Sequence, residues 1–207
     1  MKAPLLNANG EKVDMIELPE EIFGVKPKKA VLWEVVRMYQ ANRRRGTHKT
    51  KARGELAYST AKLFPQKGLG RARHGSRSAN IFVGGYKAFG PKPRDYSYSV
   101  PKKVKRLALK MALSDRAMNR RVLVMEKVDF ETPKTKNMVG LVGKIGLDSK
   151  KVVFLLNSPN KNVYLSGRNI PRVDVKLAKD VNAMDILNFD YVVIEKDGIE
   201  TLKERLA

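Results

Sequence analysis

The chain has 207 residues, 43% of them hydrophobic, and carries 42 Lys and Arg against 21 Asp and Glu for a formal net charge of +21. That length suits one domain, or one domain with an appendage, with enough apolar residues for a core, and so large a positive excess calls for a polyanionic partner: nucleic acid, an anionic membrane surface or an acidic protein. Cysteine is absent, which removes disulfides, thiolate nucleophiles and thiolate metal sites; His48 and His74 alone make a poor zinc site, so no metal or cofactor is expected.

The N-terminal residues hold no apolar signal core, and no run of about 18 apolar residues occurs anywhere, so a soluble, cytoplasmic protein without a membrane partner is expected. Ala3 to Leu6 and Lys12 to Glu17, separated by Asn9-Gly10, predict a small hairpin. Lys28 to Asn42 predicts a helix. Val31, Leu32, Val35, Val36, Met38 and Tyr39 fall on one broad face, and Pro27 stands just ahead, where a helix start tolerates it.

From Arg43 to Lys110 the sequence holds 19 basic residues and only two acids, Glu55 and Asp95, a net charge of +17. Residues before Arg43 are net neutral, and those from Met111 onward are net +4. The polyanion site is therefore expected in this third. Within it, Arg43 to Arg94 contains 8 of the 15 glycines and shows neither helical nor alternating apolar spacing. Such a stretch cannot build its own core. Ordering it costs on the order of 1–2 kcal/mol per residue in backbone entropy, so the segment is expected to be mobile when free and ordered on its partner. Fully extended, out and back, it reaches at most about 80 Å.

Pro101 opens a second helix in which Val104, Leu107, Ala108, Met111, Ala112 and Met118 recur at three and four. Beyond it, Val122 to Met125, Val152 to Leu156, Arg172 to Lys176 and Tyr191 to Ile194 read as short strands rich in β-branched residues. They alternate with helices predicted at Thr135 to Lys144, Lys161 to Arg168, Asn182 to Asn188 and Gly198 to Leu206. The expected fold class is therefore α/β: a mostly parallel sheet flanked by helices, doubly wound and Rossmann-like but without a nucleotide site, with a long irregular basic loop inserted between two helices. Residues 1–42 and 95–207 form the expected globular domain, and residues 43–94 the extended basic loop expected to bind the polyanion.

A doubly wound sheet invites a nucleotide, but the nearest glycine turn, Gly68-Leu69-Gly70-Arg71-Ala72-Arg73, lacks a third glycine and follows no predicted strand. The strand ending at Met125 runs instead into Glu126, Asp129 and Glu131, where a phosphate needs amide donors. Catalysis finds no better footing. A Ser-His-Asp set would need His48 or His74, both in the loop, and Asp174, Asp180, Asp185 and Asp190 read as helix caps and solvated strand ends. No enzyme activity is expected.

The loop interleaves its cations with glycine and with Tyr58, Phe64, Phe82, Tyr86 and Phe89. Arg matches phosphate oxygens and stacks on bases, aromatic rings offer bases a flat face, and glycine lets the backbone approach a crowded sugar-phosphate surface. A membrane-binding segment would show an amphipathic helix instead. Candidate RNA contacts on the outgoing leg are Arg43, Arg44, Arg45, Lys49, Lys51 and Arg53. Lys62, Lys67, Arg71, Arg73 and Arg77 follow through the middle, and Lys87, Lys92 and Arg94 on the return. Lys102, Lys103 and Arg106 extend the set onto the second helix, where a solvated polar face is the plainer alternative.

The run Gln66-Lys67-Gly68-Leu69-Gly70-Arg71-Ala72-Arg73 resembles the Gln-Lys-Gly-Thr-Gly-Arg-Ala-Arg signature of the large-subunit ribosomal protein L-four family. Further agreement lies in Gly84-Gly85, Lys102-Lys103 through Arg106, Ala112-Leu113-Ser114, Thr132-Pro133-Lys134-Thr135-Lys136 and Arg168-Asn169-Ile170 ahead of Val173-Asp174-Val175, so the likeness spans nearly the whole chain. The resemblance implies a structural constituent of the bacterial-type large ribosomal subunit. Its globular domain would sit on the subunit surface, and its loop would thread into large-subunit ribosomal RNA and assist assembly. The loop tip, Gln66, Lys67, Gly68, Leu69, Gly70 and Arg71, would line the constriction of the nascent-peptide exit tunnel beside the L-twenty-two protein. Other neighbouring ribosomal proteins, and its own messenger RNA bound as an autoregulator, are further implied partners. Two residues depart from the pattern: Leu69 stands where Thr is usual, and Phe64-Pro65 replaces Trp-Arg.

Overall fold

A computed structural model describes residues 1–206. Three segments, Val122–Met125 (β3), Val152–Leu156 (β4) and Tyr191–Glu195 (β6), are apolar at almost every position because both their faces are covered. With Lys2–Leu6 (β1), Lys12–Glu17 (β2) and Val173–Leu177 (β5) they form one six-stranded sheet in the order β2-β1-β3-β6-β4-β5. All neighbours are parallel except the β1–β2 hairpin. Val192 on β6 pairs with Val122 on one side and Val153 on the other. The predicted fold class is therefore present, and the strand order, which the sequence leaves open, is now fixed.

Alternation along these strands divides the core into two layers. Val122, Val124, Val153, Leu155, Val192 and Ile194 turn to one face, and Leu123, Met125, Val152, Phe154, Leu156 and Val193 to the other. Onto the first face pack Glu20–Phe23 (α1), Lys29–Asn42 (α2), Lys102–Met118 (α3), Ala183–Asn188 (α6) and Lys196–Leu206 (α7). The second receives Thr135–Ile145 (α4) and Lys161–Gly167 (α5) through Met138, Leu141, Val142 and Val163. The chain changes face after β5, and this switch makes the sheet doubly wound.

Local chemistry sets the boundaries. The Asn160 side chain accepts from the amides of Asn162 (3.0 Å) and Val163 (3.2 Å) to start α5. Gly146, at φ 78°, ends α4 in the left-handed conformation that glycine adopts without penalty. Asn182 and Asp185 form a reciprocal capping box at α6. Predicted and observed elements agree to within about two residues, with α7 starting at Lys196 and β5 at Val173. Short helix α1 went unpredicted, although Ile22 and Phe23 are fully buried. Ser114 explains its placement: buried inside α3, its hydroxyl takes the Val25 amide (3.0 Å) and faces the Ile22 carbonyl (3.0 Å).

One expectation needs correcting. Asp185 caps its helix as read, but it is buried rather than solvated, and it forms an ion pair with Lys176 at 2.6 Å. The nearly buried Asp185 carboxylate needs a counter-charge, and the partly exposed Lys176 on edge strand β5 supplies it.

The described residues fall into two compact units. One comprises Met1–Gln40 with Ser99–Ala207 and holds the sheet; the other is Ala41–Tyr98, an arm of mainly irregular chain. No helix among the described residues is long and apolar enough to cross a membrane.

Candidate nucleic-acid interface

The arm is a two-legged ribbon with sparse rungs. Arg94 donates its amide to the Gly46 carbonyl (3.1 Å), Thr50 to Pro91 (3.0 Å), Lys87 to Lys51 (3.1 Å) and Leu63 to Gly75 (3.1 Å). Outgoing and returning legs are thereby tied at intervals, and Lys62 and Ser76 form an isolated antiparallel bridge. At the base the Asn42 side chain closes a reciprocal pair with the Tyr98 backbone (3.0 and 3.2 Å). Apart from the last two residues of α2 and one 3-10 turn at Arg53–Glu55, the arm has no helix or strand, in keeping with its glycine content and lack of apolar period.

Gly46 shows why glycine is needed in the legs. Its φ is +65°, and a Cβ there would collide with the Arg94 carbonyl and meet the Tyr96 ring. At the tip, Gly68 (φ +97°) and Gly70 (φ +59°) both turn left-handed in open space, so the chain reverses there without side-chain crowding. Gln66, Lys67, Gly68, Leu69, Gly70 and Arg71 are all exposed.

Small ring contacts replace a core in the arm. Tyr96 contacts two guanidinium groups, Arg44 at 3.6 Å and Arg94 at 4.4 Å from its ring centroid. A hydrogen bond from Arg94 and the charges of Arg94 and Arg44 pull the Tyr96 hydroxyl below its usual pKa. Arg71 lies over Phe64 (5.7 Å), Arg77 over Phe82 (5.5 Å), and the His74 ring leans on Phe82 (5.0 Å). Phe64 and Phe82 are thus partly engaged within the arm, whereas Tyr58 and Phe89 stand open to solvent. Sequence reasoning passes over Tyr96, the residue that orders two of the candidate arginines; its place directly after Arg94-Asp95 was the available signal.

Both acids of the arm are consumed locally. Glu55 pairs with Lys49 at 2.6 Å and accepts from the Ala52 amide at 3.0 Å, and these bonds, Lys49 first, hold its carboxyl below the usual range. Asp95 accepts from the amide and the hydroxyl of Ser97, both at 2.8 Å, with the same downward effect. Neither neutralises the cations around it beyond Lys49.

Every candidate basic residue is exposed. This holds on the outgoing leg for Arg43, Arg44, Arg45, Lys49, Lys51 and Arg53, and in the middle for Lys62, Lys67, Arg71, Arg73 and Arg77. Lys87, Lys92 and Arg94 on the return leg are equally exposed. Lys102, Lys103 and Arg106 stand exposed in the first two turns of α3. Cations in a first helical turn oppose the helix dipole by about 0.3–1 kcal/mol each, so helix stability does not place Lys102 and Lys103 there.

The carboxyl ends of the parallel strands, where doubly wound folds bind nucleotides, are occupied differently. Buried Glu195, the last residue of β6, accepts from the amide of Val128 (3.0 Å) after β3 and that of Asn157 (2.6 Å) after β4. Two amides at the switch point thus point at the protein's own carboxylate rather than at a phosphate. Beside them a hollow of about 570 Å³ is lined by Lys161, Tyr164, Lys176 and Asp185 among others, but Lys176 is bound to Asp185 and faces Asp174 (3.7 Å). A phosphate would have to break that pair.

The profile of the Ribosomal protein L4/L1 family matches residues 16–205. Over 196 residues the chain is 45% identical to large ribosomal subunit protein uL4 of Aquifex aeolicus, covering 94% of this chain and 98% of that protein. It is 45% identical over 203 residues to the protein of the same name from Carboxydothermus hydrogenoformans, covering 98% of each. With that of Phocaeicola vulgatus it shares 41% identity over 208 residues and the full length of both chains. Profile and relatives together cover sheet, helices and arm alike, and the chain belongs to the Ribosomal protein L4/L1 family.

Proposed function

We propose that this protein is a structural constituent of the large ribosomal subunit in the cytoplasm, and that its arm binds and helps fold large-subunit ribosomal RNA. One observation carries the reading: fourteen lysines and arginines between Arg43 and Arg94 are all exposed, on a glycine-hinged ribbon whose two acids are engaged by their own neighbours. Exposed cations on a chain without a core gain most from a folded polyanion, which supplies both counter-charge and shape. The action is scaffolding without turnover.

Lys102, Lys103 and Arg106 extend the RNA contact onto the globular unit. The tip, Gln66 to Arg71, lines the nascent-peptide tunnel beside the L-twenty-two protein. Support for this finer assignment is the likeness of the tip to the family signature together with its full exposure and paired left-handed glycines. With Leu69 where the resembled family signature carries Thr, the tip presents an apolar side chain to the lumen in place of a hydroxyl.

Co-sedimentation with large subunits through a high-salt wash tests the reading. Stoichiometric retention is expected, with crosslinks from the tip to tunnel-wall RNA. Release of the protein into the supernatant, or crosslinks only from α4 and α5, would overturn it.

A further inference from the structure

The chain's single tryptophan is not in the core. Trp33 lies on the outer face of α2 with 62% of its surface exposed, while Val35 and Met38 on the opposite face are fully buried. An indole is a costly group to leave in water, and no packing need puts it there. Its surroundings point to a ligand. Arg37, one turn on, places its guanidinium 5.0 Å from the ring centroid and pairs with no carboxylate among the described residues. Lys29, one turn back, is exposed as well, so the two cationic residues are rooted about 6 Å along the helix axis before and after Trp33. Between them Ala30 adds only a methyl group, which leaves the ring accessible.

We propose that Lys29, Trp33 and Arg37 form a second RNA site on the rigid body: an unpaired nucleobase stacks on the indole while its flanking phosphates meet the two cations. This rests on the RNA-binding reading above and adds to it a surface, a binding mode and a strand state. Charge selects the occupant. A purely apolar protein partner would leave Lys29 and Arg37 without counter-charges, whereas a nucleotide satisfies ring and cations together. Duplex RNA fits poorly because its bases are already stacked and its major groove is too narrow for side chains.

Because Trp33 is the only tryptophan, its emission reports on this face alone. The full-length protein is titrated with a short oligoadenylate and with an abasic ribose-phosphate polymer of equal length, following RNA binding by anisotropy of the labelled strand and stacking by Trp33 emission. Both strands are expected to bind, and only the oligoadenylate to quench the indole and shield it from acrylamide. Trp33→Leu should weaken the oligoadenylate increment over the abasic strand by about 5- to 100-fold, and Trp33→Phe should restore most of it. Binding of both strands with unchanged Trp33 emission would overturn the platform and leave the RNA reading standing. Failure of either strand to bind would overturn both. Quenching that is equal for the two strands would show a charge effect without stacking and would also overturn the platform.

Discussion

Arg116 of the globular unit and Arg44 of the arm are the same side chain put to opposite uses. Arg116 is only 12% exposed, and its guanidinium donates to the carbonyls of Ile186 (3.3 Å) and Leu187 (3.1 Å) at the end of α6. Arg205 does likewise for Ala178 and Val181. Arg44 and Arg94 rest on the Tyr96 ring instead and keep their charge in solvent. In the body, cations complete an apolar structure by satisfying orphan carbonyls; in the arm, the fold serves to hold cations outward. The body's buried cations find their acceptors within the chain, whereas the arm's stand exposed and open to a partner.

That contrast can be broken at several points. Replacing Arg53 to Arg94 by a short Gly-Ser turn should lower affinity for large-subunit RNA on the order of 10³-fold or more, with circular dichroism and thermal melting of the body unchanged. Collapse of the fold in this variant would mean that body and arm are not separable. Phe154→Ala, at the centre of β4 and fully buried, should destabilise the body by about 3–5 kcal/mol in denaturant titration and leave the salt dependence of RNA binding alone. Arg116→Ala should cost about 1–3 kcal/mol of stability by stranding two carbonyls. Arg44→Ala should instead weaken RNA binding and leave stability within error. The smallest effect concerns Glu55. Its bonds to Lys49 and Ala52 depress its pKa when folded, so their contribution is present above the ordinary carboxylate range and is lost as pH falls through that depressed value. Carboxyl chemical shifts of Glu55 should therefore titrate below those of an unpaired glutamate, and RNA binding should not respond to this group near neutrality.

Much of the body was legible in the sequence. Continuous β-branched runs such as Val152 to Leu156 and the helical period of α3 reflect burial, which periodicity reports directly. Helix α1 escaped because four residues are too short for a period to show, and its position depends on the distant Ser114 hydroxyl. Strand order depends on crossovers that no local pattern records. Asp185 misled because capping and burial look alike in sequence until Lys176 is seen across from it. In the arm, charge and glycine content marked the candidate site, but the pairing of Arg44 with Arg94 through Tyr96 joins residues far apart in the chain. Trp33 stands outside the apolar face read for its helix, and that omission was the signal of its exposure.

The central claim, that the arm's outward cations carry the affinity, is tested most directly by the salt dependence of RNA binding in the intact and arm-excised proteins. If about eight phosphates are engaged, the intact chain should give a log–log slope of about −6 to −7, and excision should remove most of it. Equal slopes for the two proteins would contradict the account.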